Sequence, residues 1–124
     1  PIACAAALAN IAVLQEERLI ENAAERGAEL LTRCKALQEK HALIGDVRGR
    51  GLMLAIELVT DRRTRAPATA ATARIFEETR RQGIVVSKSG PYRSILRMVP
   101  PLCLGLEDVD PVLAALDRSL EVAR

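Results

Sequence analysis

Apolar residues recur three or four positions apart along the first third of the chain, and the period changes abruptly afterwards. Between Ala3 and Lys40 most residues are good helix formers, and Leu19, Ile20, Ala23, Gly27, Leu30, Leu31, Cys34 and Leu37 fall on one stripe. That spacing predicts a long amphipathic helix. The earlier stripe of Leu8, Ile11 and Leu14 does not run smoothly into Leu19, so a break at Glu16-Glu17 is the alternative to one continuous helix. Gly27 in mid-helix costs about 1 kcal/mol relative to alanine, which points to a neighbour packed closely on its backbone.

After Lys40, Gly45, Gly49 and Gly51 punctuate a bend that leads into Leu52–Val59, where Leu52, Leu54, Ile56 and Leu58 alternate with Met53, Ala55, Glu57 and Val59. This largely apolar run predicts a strand covered on both faces and entered through a glycine bend or bulge. Asp61 to Pro67 reads as a charged loop. Thr69 to Gln82 predicts a helix that buries Ile75 and Phe76 and is stopped by Gly83 in the left-handed conformation. Ile84–Ser87 and Ile95–Val99 predict short strands joined by a turn over Ser89–Ser94, the second ended by Pro100-Pro101. The last helix is expected from near Asp108 or Asp110, with Pro111 in its first turn, burying Val112, Leu113, Leu116 and Leu120. The order helix, strand, helix, strand, strand, helix predicts an α+β fold, a small antiparallel-type sheet with helices packed on one side.

Composition narrows the function. A chain of 124 residues buries one core, so residues 1–124 form a single domain. Eighteen basic and 16 acidic residues leave a net charge of +2, too little to gather nucleic acid or anionic lipid, and one Tyr, one Phe and no Trp give no platform for stacked bases. Neither nucleic acid nor membrane is an expected partner. The alanine-rich start from Pro1 to Leu14 is too short to cross a bilayer and lacks a basic leader. Cys4, Cys34 and Cys103 have neither paired nor metal-ligand spacing, which fits a reducing, cytoplasmic location. The chain does not begin with Met and opens as if inside a helix, so it is expected to be a piece of a longer protein.

No self-sufficient catalytic set stands out among the residues. His41 reads as a loop or helix-end histidine. Lys35 and Lys40 belong to the polar side of the first helix, and Lys88, in Val-Val-Ser-Lys-Ser-Gly, lies in a solvated turn that would not depress its pKa for Schiff-base chemistry. The glycines of Gly45-Asp-Val-Arg-Gly-Arg-Gly51 lead into a strand instead of a helix N-terminus, so they do not form a phosphate loop. Arg48 and Arg50 either bind anions or pair with acidic residues. Arg97, in Ile-Leu-Arg-Met-Val-Pro-Pro-Leu, sits near a strand end, where its planar fork suits either bidentate capture of a carboxylate or an ordinary ion pair.

Several segments, in order, resemble the C-terminal small domain of class III, or omega, aminotransferases, the group of ornithine, acetylornithine, 4-aminobutyrate and alanine–glyoxylate aminotransferases. They are Pro1-Ile-Ala-Cys-Ala-Ala-Ala-Leu-Ala, Glu21-Asn-Ala-Ala-Glu-Arg-Gly27, Ile44-Gly-Asp-Val-Arg-Gly-Arg-Gly-Leu-Met53 with Ile56-Glu-Leu58, Gly90-Pro-Tyr92, Leu96-Arg97 and Pro100-Pro-Leu102. The resemblance implies the small-domain fold of fold-type I pyridoxal-phosphate transferases and a ping-pong transfer of an amino group to a keto acid. It implies that Arg97 binds the substrate's α-carboxylate. The catalytic lysine and the groups that hold pyridoxal phosphate would lie in a large domain before Pro1, leaving no catalytic or cofactor-binding residue here and the fragment alone inactive. It also implies a homodimer, with 4-aminobutyrate or an alanine–glyoxylate pair as first candidates for substrate. The alternatives are a scaffold or oligomerisation domain without cofactor, and a pyridoxal-phosphate lyase or racemase. Where many members have glycine-asparagine before the arginine, this chain has Arg93-Ser94, less suited to positive φ.

Overall fold

The computed structural model describes residues 1–123, in which the helical and strand periods resolve into four helices and five strands. Their order is α1 (Ile2–Glu16), α2 (Leu19–Lys40), β1 (Ile44–Arg50), β2 (Met53–Asp61), β3 (Ala66–Pro67), α3 (Thr69–Arg81), β4 (Ser87–Ser89), β5 (Ile95–Met98) and α4 (Leu106–Val122). All strand pairings are antiparallel, in the order β1-β2-β5-β4, with β3 against the end of β2. The fold is α+β, as the pattern predicts.

The first helical stretch breaks where its two stripes fall out of phase: α1 stops at Glu16, and Arg18 takes a left-handed φ of 51° before α2 starts. Helix α2 then turns Gly27, Leu30 and Cys34 onto the sheet, while Ile20 falls off the stripe into solvent. Burial pushes the Cys34 thiol up to about 11. Facing α2 are Ile44 and Val47 of β1 and Leu54, Ile56 and Leu58 of β2; Leu96 and Met98 of β5, Ile75 of α3 and Leu113, Leu116 and Leu120 of α4 complete the core.

Only this face of the sheet is covered. The expected burial of β2 on both faces fails, because Met53 is 63% exposed and Ala55 and Glu57 only half-buried, whereas Leu54, Ile56 and Leu58 lie within the core. The apolar run looked two-faced because Met53, Ala55 and Val59 are apolar, and Val59 is indeed buried where the strand reaches β3.

Other boundaries also move. The glycine bend is itself strand β1, pairing Arg50 with Met53 around a Gly51-Leu52 turn in which Gly51 has φ +53°. Leu52 lies in this turn, outside β2, yet is buried. Glycine-rich, charged β1 has poor strand propensity, and its partner β2 supplies the pairing that its residues do not signal. Helix α3 ends at Arg81, Gly83 just beyond it takes φ +82°, and the Ile84 amide donates back to the Thr79 carbonyl at 2.9 Å, so the strand expected over Ile84–Ser87 forms only at Ser87–Ser89. Helix α4 starts at Leu106, where the Asp108 carboxylate accepts the Gly105 amide at 2.9 Å, and Pro111 lies inside the helix instead of in its first turn. Asp61–Pro67 contains the short strand β3.

Candidate functional site: the open sheet face

Residues that alternate along a strand point to opposite faces, so the register fixes what the open face carries. Arg48 pairs with Ala55, Ala55 with Arg97, and Arg97 with Ser87, which sets one row straight across β1, β2, β5 and β4. In the next row Asp46 pairs with Glu57, Glu57 with Ile95, and Ile95 with Ser89. Two guanidinium-bearing residues thus flank one small alanine, their backbones roughly 10 Å apart by strand spacing.

Their surroundings differ. Arg48 donates to Asp46 at 2.6 Å and to Glu57 at 2.7 Å, and these bonds to two carboxylates raise its already high pKa further. Of the two readings open for Arg48, the ion pair is the one present. Those pairs on the open face leave Arg97 out: it is exposed, and no ion pair among the described residues includes it. Its backbone is held on both sides, by β2 and β4, and β5 ends one residue later at Met98.

Pro100 and Pro101 follow, and proline offers no amide for further pairing. Val99, Pro100, Pro101, Cys103 and Leu104 line an apolar cavity of about 470 Å³ together with Leu30, Val86 and Val112.

The lysines are elsewhere. Lys88 pairs with Leu96, so it belongs to the helix-side face, and its ammonium lies 4.5 Å from the centre of the Phe76 ring. Lys40 bonds to Asp117 at 2.6 and 2.8 Å and to Glu121 at 2.9 Å, and these bonds raise its pKa. Lys35 is exposed on α2. No lysine among the described residues shares the open face with Arg97, and none of the described residues groups into a metal-ligand cluster. No helix among them is long and apolar enough to cross a membrane.

Two polar groups stand out that the residue pattern does not single out. His41, at the C-cap of α2, is 1% exposed with Nε2 2.6 Å from Asp117, while its buried Nδ1 has no partner among the described residues. Asn22 uses its side-chain amide to bond the Leu102 carbonyl at 2.7 Å and the Leu104 carbonyl at 3.1 Å. Their only sequence signals are a histidine just past the stripe and a poor helix former inside it. Gly90-Pro91-Tyr92-Arg93 forms the turn before β5; the Arg93 amide donates to the Gly90 carbonyl at 3.1 Å, and Arg93 takes a φ of 51° in spite of its side chain.

Residues 1–120 match the family model for class III aminotransferases. The chain belongs to the class III aminotransferase family. It is 43% identical to alanine–glyoxylate aminotransferase 2 homolog 2, mitochondrial, of Arabidopsis thaliana, over 96% of this chain and 25% of that protein. An amine transaminase from an uncultivated Pseudomonas species, solved in its PLP-bound form, superposes with a TM-score of 0.88 at 39% identity over 98% of this chain and 28% of that one. A phospholyase from Arthrobacter in complex with phosphoethanolamine superposes with a TM-score of 0.92 at 34% identity, over 98% and 29% respectively. This class III chain therefore spans about a quarter of the length of the relatives it matches.

Class III aminotransferases use pyridoxal phosphate, and the described residues do not by themselves fit it. Of the chain's three lysines, Lys88 packs against the Phe76 ring, Lys40 is held by Asp117 and Glu121, and Lys35 is exposed on α2, so none is set in a pocket for the aldehyde.

Proposed function

We propose that residues 1–124 are the C-terminal small domain of a pyridoxal-phosphate-dependent transaminase whose large domain precedes Pro1, and that Arg97 binds the α-carboxylate of its substrates. The observation that carries this reading is Arg97 itself, an exposed guanidinium on a two-sided strand pairing, with no carboxylate partner among the described residues. A fixed fork of this kind suits two charge-assisted hydrogen bonds to one carboxylate. The domain assignment draws support from α1, which is apolar yet buries none of its residues, since a helix apolar all round is ordinarily covered.

Pyridoxal phosphate, when bound, supplies the electron sink for moving an amino group from donor to keto acid. This chain would orient the substrate so that its carboxylate faces Arg97. An alanine–glyoxylate type pair is the first substrate candidate, in keeping with the plant relative's name, and 4-aminobutyrate the second. The full protein would act as a cytosolic homodimer, and this chain alone would be inactive; three free cysteines support the reducing compartment.

The test is Arg97→Lys in the full-length enzyme, which keeps the charge and removes the fork. For alanine or glutamate, kcat/KM should fall about 10–1,000-fold, or roughly 1.4–4 kcal/mol, with a much smaller loss for an amine that has no carboxylate. Equal losses for both would mean that Arg97 supports the fold instead of reading the substrate. The likeness to the phospholyase keeps one second reading open, elimination of phosphate from an amino-alcohol phosphate. Phosphate release from phosphoethanolamine without amino transfer would select it.

A further inference from the structure

The strand that carries Arg97 has an unusual exit. Its ladder stops at Met98, and the two prolines beyond Val99 can donate nothing to β2. With both φ angles fixed by their rings, Pro100 and Pro101 act as a stiff link between the end of β5 and Leu102. Both prolines line the 470 Å³ cavity, so part of their surface packs against no other residue.

The far end of the link is tied down by one side chain. Asn22, in the first turn of α2, gives both of its amide hydrogens to this segment, one to the Leu102 carbonyl at 2.7 Å and one to the Leu104 carbonyl at 3.1 Å. Within the segment the Leu104 amide closes on Pro101 at 3.1 Å. An asparagine inside a helix costs stability relative to alanine, and here its donors satisfy two carbonyls that no ladder reaches.

We infer that Asn22 is a positioning residue for Arg97: it fixes the Pro100–Leu104 segment and, through the proline link, the end of the strand from which Arg97 meets the substrate. The inference rests on the carboxylate-binding reading of Arg97 given above. Among the described residues no side-chain partner sets the place of Arg97, so its backbone must do so, and misplacing a binding group by about 1 Å can cost on the order of a hundredfold in rate.

Asn22→Asp is the sharpest variant, since it keeps the shape and offers neither carbonyl a hydrogen. Asn22→Ala is the second, because the Leu102 bond lies at the surface, where water can replace it and the fold survives. Both are made in the full-length enzyme, beside Arg97→Lys. Each should lower kcat/KM for alanine by about 10–100-fold and raise the dissociation constant of an unreactive carboxylate such as propionate in parallel, while a carboxylate-free amine changes less than about twofold. Rates for alanine and the amine that fall together in the Asn22 variants, or stay at wild-type values, would overturn the inference while a selective Arg97→Lys effect stands. If Arg97→Lys is itself unselective, the underlying reading fails and Asn22 has nothing to position.

Discussion

Gly27 and Gly51 meet where α2 crosses the β1–β2 turn, and there a single methyl group decides whether the helix can lie on the sheet. A Cβ built on Gly27 would stand 2.1 Å from the Gly51 carbonyl oxygen, a backbone atom that cannot rotate away. Alanine would return about 1 kcal/mol of helix propensity, but overpacking against backbone costs about 1–3 kcal/mol, more where nothing can yield. Gly27→Ala should therefore destabilise, read as a lower denaturation midpoint with an unchanged slope. A midpoint that rises would show that α2 can shift off the turn. This contact was legible in the sequence, because a glycine in the middle of a helical stripe has few other reasons to be there. What it touches was not, since Gly51 is far away in sequence and lies in a turn that the pattern hides.

At the scale of elements, α2 and α4 are joined at one end by charge. Asp117 of α4 accepts from Lys40 and lies 2.6 Å from His41 Nε2, while Arg62 bonds the His41 and Ile44 carbonyls at 2.9 and 3.0 Å and closes the end of α2. The Lys40 bonds, with His41 second, hold the Asp117 carboxyl below the usual carboxylate range. A carboxyl lowered by folding adds stability above its unfolded pKa of about 4, and the contribution fades as pH falls through the lower folded value. Lys40 is shifted upward, so its contribution is present below about 10.4 and fades above it. Asp117→Asn should thus lower stability at neutral pH and flatten the acid limb below about pH 4, leaving the part due to Asp61, whose carboxyl is lowered by the Thr64 amide. Parallel acid limbs in chemical denaturation would exclude Asp117 from the linkage. Nothing in the residue pattern joins Lys40 to Asp117, because side chains that meet only after two helices pack leave no periodic trace. Helices α2 and α3, and strand β5, were legible from period and stop signals; β1 was not, since its pairing comes from β2.

At the scale of the molecule, one sheet face is core and the other is open, and the division separates Arg97 from Lys88. The alternation of Ile95 to Met98 was enough to set Arg97 opposite Leu96, but the openness of its face was masked by the apolar run of β2. Lys88 is on the helix side with its ammonium 4.5 Å from the centre of the Phe76 ring, a cation–π contact that holds it away from the open face. Lys35 is exposed, and Lys40 is engaged by two carboxylates. Residues 1–124 incubated with pyridoxal phosphate and reduced with borohydride should therefore show scattered, substoichiometric labelling on peptide mapping, with no single lysine dominant. The full-length protein treated in the same way should carry one stoichiometric label, outside these residues. A single complete adduct on Lys88 in either sample would mean that this face of β4 belongs to the cofactor site, and the division of roles between the two sheet faces would be wrong.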